Sequence, residues 1–315
     1  MTEGPSREGC GVRVAVTGAT GVIGRSVIPA LVEAGHDVVG LARTPEKSLK
    51  LEASGATAVL GSLADHDTLV ALFDGADAVA NFATHIPVGL HAVWPRAWRA
   101  NDRLRTEGVR RVVAAARAAG VRRIVQESMT LLYADGGEDW ITEESPIDIT
   151  AATEPARVGE AHVAEYACHS RTGVVIRFGT IIGDDDTTRF QLRATQRGRP
   201  VGVGDPEAWT HVVHTDDLGP AVVAALGVPS GVYNVGAEPV RRVDLAAAYA
   251  EVAGRESIDF VGPLVTRLAG VRLEPATRSL RVSSQLLTRT TGWSPRRDKF
   301  DVSWLDAARP EPAGR

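Results

Sequence analysis

The chain contains few cysteines and few lysines. Only two of its 315 residues are cysteines, Cys10 and Cys168, so no disulfide framework holds the fold and a reducing compartment is expected. Its lysines are Lys47, Lys50 and Lys299, and the other 32 basic residues are arginines. Chemistry that requires a lysine between residues 51 and 298 is therefore excluded.

Long apolar runs, a signal sequence and an excess of positive charge are also missing. The longest apolar runs, such as Ala221 to Leu226, are too short to span a bilayer, and the first fourteen residues contain no apolar signal-peptide core. The net charge of −4 gives no general attraction for nucleic acid. We therefore expect a cytoplasmic protein that acts on a small-molecule substrate, with neither nucleic acid nor membrane as a partner.

Short β-branched segments alternate with helical segments along the chain. Strands are predicted at residues 12–16, 38–42, 56–60, 76–82, 123–126, 174–177 and 232–235, and helices at 22–34, 94–119, 154–170, 217–226 and 243–253. This alternation predicts an α/β fold with a Rossmann-type, doubly wound parallel sheet. We expect a flexible leader (1–11), a Rossmann domain (12–180), a smaller C-terminal substrate-binding lobe that returns elements to that domain (181–308), and a loose tail (309–315).

Glycines follow the first strand at a spacing that suits a phosphate-binding turn. Residues 17–24 read T-G-A-T-G-V-I-G and lie between a predicted strand and a predicted helix. Gly18 permits the tight turn, Gly21 lets the backbone approach a pyrophosphate, and Gly24 lets the helix pack on the strand. The helix N-terminus then offers free N–H groups to phosphate oxygens. We predict dinucleotide contacts from Gly18, Thr20, Gly21, Val22, Ile23 and Gly24.

The end of the second strand distinguishes between the two nicotinamide dinucleotides. An NAD site usually has an acidic residue there, which accepts a hydrogen bond from the ribose 2′-hydroxyl. Here the strand ends at Ala42 and Arg43, and Asp37 comes too early, at the start of the strand. An arginine suits a 2′-phosphate through charge-assisted hydrogen bonds. We therefore predict NADP(H) as the cofactor, with a solvated turn residue as the alternative role for Arg43.

Several segments resemble the extended and atypical short-chain dehydrogenase/reductases, the NAD(P)-dependent epimerase/dehydratase family. The glycine turn matches the family fingerprint, and N-F-A-T at residues 81–84 resembles the fourth-strand segment that lines the cofactor. Residues 211–218 and 232–236 resemble two further family segments, and the resemblance covers residues 12–297. We add Leu63, Phe82, Ala83 and Thr84 to the predicted cofactor contacts.

The catalytic residues of that family are missing where the resemblance would place them. The tyrosine and lysine of the Tyr-x-x-x-Lys motif fall on Arg157 and Ala161, and no tyrosine of this chain has a lysine four residues later. The catalytic serine or threonine falls on Met129, directly after Ser128. General acid–base catalysis is commonly worth ~10²–10⁴-fold in rate, so the proton must come from elsewhere or the protein is not a catalyst.

Candidate replacements lie near the expected active site. Ser128, at a strand end, is the candidate catalytic residue, and a serine bonded to backbone is its alternative. His85 could act as an acid because histidine titrates near neutrality, and Arg157 could stabilise an oxyanion. The run Asp184–Asp186 suits a solvated turn and helix cap better than a metal site, and we predict no metal. The predicted substrate contacts are His85, Ser128, Met129, Arg157, Thr180 and Trp209.

Three functions remain open at this point. The first is an NADPH-dependent ketoreductase for a bulky, aromatic, polyketide-like substrate whose own phenol supplies the proton, so that the protein contributes orientation. In lacking the triad, the chain resembles angucyclinone ketoreductases of antibiotic pathways. The alternatives are a non-redox lyase, cyclase or isomerase, and a non-catalytic NADP-binding sensor. The resemblance also leads us to expect a homodimer through the long helices.

Overall fold

A seven-stranded parallel sheet forms the centre of the protein in the computed structural model, which describes residues 11–89, 92, 94–261 and 272–309. Its strands are β1 (Arg13–Thr17), β2 (Asp37–Ala42), β3 (Thr57–Leu60), β4 (Ala78–Asn81), β5 (Arg123–Met129), β6 (Thr172–Phe178) and β11 (Gly231–Val235). They lie in the order β3-β2-β1-β4-β5-β6-β11, which confirms the predicted doubly wound sheet. Winding reverses between β1 and β4, so a crevice opens at their carboxyl ends.

Ten α-helices and six short strands of the described chain surround the sheet. The helices are α1 (Val22–Glu33), α2 (Pro45–Ala53), α3 (His66–Phe73), α4 (Pro95–Arg103), α5 (Val109–Ala118), α6 (Glu154–Tyr166), α7 (Asp186–Gln196), α8 (Thr215–Ala225), α9 (Arg242–Val252) and α10 (Gln285–Thr291). The short strands are β7 (Thr180–Ile182), β8 (Gly202–Val203), β9 (Trp209–Thr210), β10 (Val212–His214), β12 (Val240–Arg241) and β13 (Phe260–Val261). In the described ranges no helix is both long and apolar enough to cross a membrane.

The central strands are apolar throughout because both faces of the sheet are covered. Val14 and Val16 point into a core formed with α1 and α8, whereas Ala15 points into a core formed with α3, α5 and α6. Helices α1 and α8 approach closely, since a Cβ atom at Gly219 would lie 2.4 Å from the carbonyl oxygen of Ser26. The alternating faces thus place the helices on both sides and leave the carboxyl edge of the sheet open.

The C-terminal half of the chain contributes to both the sheet and a separate lobe. Strand β11 pairs with β6, and α8 packs on α1. A separate core around Trp304 and Tyr249 joins α7, α9 and the 3-10 helix Val302–Ala308. The predicted leader and tail lie outside the described residues except for residues 11 and 309.

Two predicted helices differ from the observed ones. The helix predicted at residues 94–119 consists of α4, a π-helical turn (Leu104–Gly108) and α5. The helix predicted at residues 154–170 ends at Tyr166, where the backbone becomes extended at Ala167. The π turn matters for the site because it turns Arg105 into the interior.

Candidate active site

The glycine turn after β1 has the geometry of a dinucleotide cradle. Gly18 has a φ of +70°, and a Cβ atom there would lie 2.4 Å from the carbonyl carbon of Phe82. A Cβ atom at Gly24 would lie 2.3 Å from the carbonyl oxygen of Ala19. At Gly21 the same atom would meet only the Gly18 carbonyl oxygen, at 3.2 Å. Gly18 and Gly24 are therefore required by close packing, while Gly21 leaves its surface open to a ligand.

The N-terminus of α1 offers unpaired donors at this turn. Within the described chain, the backbone N–H groups of Val22, Ile23 and Gly24 have no hydrogen-bond partner, and the next one, that of Arg25, donates to the Gly21 carbonyl at 3.0 Å. The first turn of α1 has neither a side-chain cap nor an acidic residue. Free N–H groups and the positive end of the helix dipole fit the pyrophosphate of a dinucleotide.

The end of β2 presents a cation and no carboxylate. Arg43 is exposed, and nothing in the described ranges bonds to its side chain. Asp37 lies at the opposite end of β2, where it pairs with Arg13 at 2.6 Å. Leu63, in the loop after β3, is half-buried against the second core. This edge therefore presents an exposed guanidinium, and its one acidic residue, Asp37, lies at the far end of the strand.

A chain of buried amide and hydroxyl groups joins the carboxyl ends of β1 and β4 to the middle of β5. The Thr17 hydroxyl donates to Asn81 Oδ1, and Asn81 Nδ2 donates to Gln126 Oε1 at 2.7 Å. Asn81 Oδ1 also accepts the N–H of Ala83 at 3.3 Å, which fixes the start of the loop after β4. The sequence signal for this network, polar residues at the ends of apolar strands, was visible, but Asn81 and Gln126 were not predicted as site residues.

Ser128 lies at the predicted strand end, but its hydroxyl proton is already engaged. The hydroxyl donates to Glu160 Oε1 at 2.6 Å, and Glu160 pairs with Arg177 through two contacts of 2.8 and 2.7 Å. All three side chains are buried. Ser128 can therefore accept a hydrogen bond but does not hold a free proton in this arrangement; its catalytic role stays a prediction, as does substrate contact by half-buried Met129.

A second buried ion pair lies beside the first. Arg105, in the π turn, pairs with Glu127 on β5 at 2.7 Å, and both side chains are at least nine-tenths buried. The other Glu127 carboxylate oxygen has no partner in the described part of the chain. Burial raises the pKa of Glu127. Sequence patterning missed both pairs, because an isolated charge within a strand carries no sign of its partner.

All four tyrosine hydroxyls of the chain are hydrogen-bonded inside the protein. They donate to side-chain or backbone oxygens as follows: Tyr133 to Asn234 at 2.8 Å, Tyr166 to the Val121 carbonyl, Tyr233 to the Pro229 carbonyl at 3.1 Å, and Tyr249 to Gln191 at 2.8 Å. Burial raises the pKa of each of them, that of Tyr166 to about 12. A tyrosine acid near the cofactor would need a free hydroxyl and a lowered pKa, and these four have neither.

The remaining predicted substrate residues occupy several elements. Arg157, half-buried on α6, pairs with Glu154 of the same helix at 2.9 Å. His85 has an exposed side chain in the loop after β4, next to half-buried Thr84, and its backbone N–H donates to Asn101 Oδ1 at 3.1 Å. Thr180 is exposed at the start of β7. His85 thus lies in the loop that starts at the cofactor cradle.

The Trp209 side chain is held by a carboxylate and two arginines from other segments of the chain. Its indole N–H donates to Glu138 Oε2 at 3.0 Å. The guanidinium of Arg241 lies 3.9 Å from the centre of the indole ring, and that of Arg281 lies 4.9 Å from it. Arg281 also lies over Trp140, at 4.4 Å. Stacked arginines therefore lie close to the Trp209 ring, and its substrate role stays a prediction.

Comparison with known proteins agrees with this geometry. A family model described as NAD(P)H-binding matches residues 18–226. A 3-diazoavenalumate denitrifying reductase from Streptomyces is 29% identical over 94% of this chain and 98% of its own length. A 4-hydroxy-2-methyl-3-oxo-4-farnesyl-3,4-dihydroquinoline-1-oxide ketoreductase from Stigmatella aurantiaca is 34% identical over 56% of this chain and 52% of its own. A UDP-glucose 4-epimerase structure from Thermus thermophilus shares the fold, with a TM-score of 0.76, 20% identity, and coverage of 95% of this chain and 100% of that one.

Proposed function

Since this chain belongs to the NAD(P)H-binding family of atypical short-chain dehydrogenase/reductases, and is thereby an NAD(P)-dependent oxidoreductase, we propose that it uses NADPH to reduce a carbonyl group on a bulky, aromatic, polyketide-like substrate. The observation that carries this proposal is an intact dinucleotide cradle in a protein whose four tyrosine hydroxyls are all engaged. Such a site can bind and orient a hydride donor, but it has no tyrosine to protonate the product.

The preference for NADPH rests on Arg43. Its guanidinium is exposed at the end of β2 and is unpaired within the described ranges. The acidic residue that would bind the ribose 2′-hydroxyl of NAD is missing there. Val22, Ile23 and Gly24 would hold the pyrophosphate through their N–H groups, while the segment from Phe82 to Thr84 would line the nicotinamide side.

The substrate is proposed to supply its own proton. When bound, NADPH would supply a hydride for the carbonyl carbon of the substrate, and the carbonyl electron pair would move to oxygen. That oxygen takes the proton of a phenol adjacent to it on the substrate, and the phenolate regains a proton from water. The ketone, NADPH and one proton thus give the alcohol and NADP⁺. The protein contributes orientation, which is worth several kcal/mol when reacting groups are held in place.

The relatives support this reaction class and add one variant of it. The Stigmatella relative is named a ketoreductase and matches about half of each chain. The Streptomyces relative, which matches 94% of this chain, is named a denitrifying reductase of a diazo compound. A hydride that adds to an aromatic carbon bearing a diazonium group forms a C–H bond as dinitrogen leaves with the C–N electron pair. This second candidate reaction also requires no acid from the protein.

The test compares NADPH oxidation with three substrates. An aromatic ketone with an adjacent phenol is expected to be reduced, and its O-methyl ether is expected to react at least ~10²-fold more slowly, because the ether has no proton to give. An aromatic diazonium compound tests the second candidate through release of dinitrogen. Equal rates for phenol and ether would exclude the substrate as proton donor. If the protein binds NADPH but none of the three substrates causes NADPH to be oxidised, the redox proposal is excluded. A sensor or a non-redox enzyme would then be favoured.

A further inference from the structure

Helix α4 is held in place by polar contacts rather than by apolar burial. It spans Pro95–Arg103, and its apolar side chains larger than alanine are the exposed Pro95 and the half-buried Trp98. Its one fully buried residue is Asn101, which is 3% exposed. A surface helix normally attaches through an apolar stripe, and burial of an amide is favourable only when its hydrogen bonds are made. The contacts of α4 therefore indicate what the helix is positioned to do.

Asn101 holds the loop that follows β4. Its Oδ1 accepts the backbone N–H of His85 at 3.1 Å. The same loop is fixed two residues earlier, where Asn81 accepts the N–H of Ala83 at 3.3 Å. Thr84 lies between these two attachment points. Two buried asparagines thus fix residues 83–85 at the start of this loop.

Asp102, the next residue of α4, holds a different segment. Its carboxylate accepts hydrogen bonds from both terminal nitrogens of Arg272, at 2.7 and 3.3 Å. The Arg272 guanidinium also lies 5.4 Å from the centre of the Trp98 ring. The two charged side chains are 17% and 25% exposed, so solvent screens this pair only in part. Arg272 lies two residues before the 3-10 helix Glu274–Thr277.

The C-terminal end of α4 is anchored to the sheet. The helix continues into the π turn, where Arg105 forms its buried ion pair with Glu127 of β5. Isolated π turns occur frequently at functional sites, and this one carries a charged side chain into the interior. Helix α4 therefore connects three segments in a fixed geometry: the sheet, the loop after β4 and the segment of Arg272.

We propose that Asn101 and Asp102 are positioning residues that set the width of the substrate cleft, with residues 82–89 of the loop after β4 as one wall and residues 272–277 as the other. The proposal rests on the proposed function, since it assigns selection of bulky, flat substrates to this spacing. Neither residue belongs to the cofactor cradle. Loosening either wall therefore weakens binding of a bulky aromatic ketone. Asp102 bonds to no predicted cofactor contact, so its loss leaves NADPH binding unchanged, whereas loss of Asn101 also loosens Thr84 at the nicotinamide side.

The experiment uses Asn101→Ala and Asp102→Asn in the full chain, with Glu107→Gln as the matched control. Glu107 is exposed and pairs only with Arg111, at 3.4 Å, on the adjoining helix. Each test variant is expected to raise KM for the hydroxylated aromatic ketone about tenfold and to change kcat little, and Asp102→Asn is expected to leave the Kd of NADPH within about twofold. Asp102→Glu, which keeps the charge, is expected to recover most of the KM. Hydrogen exchange of the amides at residues 83–89 is expected to rise in Asn101→Ala only.

The outcomes separate the inference from the proposed function. If the wild-type protein does not oxidise NADPH with any ketone, the proposed function is overturned. Binding of the same ketone to the wild type and to the variants would then test the cleft directly. Equal KM, equal ketone binding and equal exchange in the test variants and Glu107→Gln would overturn the positioning role. A parallel loss of NADPH binding in Asp102→Asn would also overturn it, because it would show a general loss of structure.

Discussion

Arg43 distinguishes the two dinucleotides by charge, because the cradle itself binds groups that both of them share. Replacing Arg43 with alanine is expected to weaken NADPH binding about 10- to 100-fold, since hydrogen bonds to a charged group contribute about 1.5–3 kcal/mol. NADH binding is expected to stay unchanged. Fluorescence titration of both nucleotides measures the effect.

The matched control for Arg43 is Arg110→Ala, which removes another exposed arginine, on α5, that has no partner in the described ranges. It is expected to bind both nucleotides like the wild type. Equal weakening of NADPH and NADH in Arg43→Ala would show that the side chain supports the fold of the turn and does not bind the 2′-phosphate.

His211 couples the stability of the fold to pH. It is 1% exposed, and burial lowers its pKa to about 3. In the unfolded chain a histidine titrates near ~6.5, so below that pH the unfolded state binds a proton that the folded state does not. Stability therefore falls as the pH drops from above 6.5 toward 3.

Replacement of His211 with asparagine removes this titration. Between pH 7 and pH 5 the wild type is expected to lose about 2 kcal/mol more of its unfolding free energy than His211→Asn does. Urea unfolding at the two pH values measures this difference, whatever the absolute stability of the variant. A drop of the same size in both proteins would mean that other groups carry the acid sensitivity.

At the level of single residues, sequence reasoning succeeds where geometry restricts the residue type. Gly18 and Gly24 were predictable because a Cβ atom at either position would overlap backbone. Glu160 and Arg177 were not, since a charged residue alone predicts a solvated surface. Their burial depends on a partner from another element, and a single sequence does not show which charges meet.

At the level of elements, the strongly apolar strands were predicted, whereas the short helices α2, α3, α7 and α10 were not. The strands β1, β2, β4 and β6 are near-continuous apolar runs because they are covered on both faces. Helix α2 exposes most of its residues and buries only Leu51, so its sequence carries little helical periodicity. The π turn was missed for a similar reason: one additional residue hardly changes an Ala- and Arg-rich pattern.

Helix α6 and strand β6 are joined by the buried ion pair of Glu160 and Arg177, whose loss is expected to destabilise the protein. Glu160→Gln removes the charge that compensates Arg177 and is expected to destabilise the protein by about 3 kcal/mol, as for other buried ion pairs that lose one partner. Glu154→Gln, on the same helix, is the control, because its pair with Arg157 is about half exposed and contributes less than about 1 kcal/mol. Chemical denaturation of both variants measures the two values. Similar losses in both would mean that water reaches Glu160.

On the scale of the whole molecule, the Rossmann domain is not continuous in sequence. The predicted boundary near residue 180 precedes α8 and β11, which complete the core on α1 and the edge of the sheet at β6. Leu218, Ala221 and Val222 of α8 are completely buried in that core. Sequence alternation predicts which elements form a sheet, but the order in which distant strands join it depends on packing that a single sequence does not encode.

This interleaving predicts that the chain unfolds as one unit. A protein truncated after residue 180 lacks α8 and β11, exposes the apolar face of α1 and is expected to give no cooperative unfolding transition. Since a ligand stabilises every element that unfolds with its site, NADPH at about 100 times its Kd is expected to add about 2.7 kcal/mol to a single transition of the full chain. Circular dichroism follows the sheet, and the fluorescence of Trp304, in a variant whose other tryptophans are replaced by phenylalanine, follows the lobe. Coincident transitions that shift together with NADPH would establish one cooperative unit, and a lobe transition that NADPH does not shift would show that the lobe folds on its own.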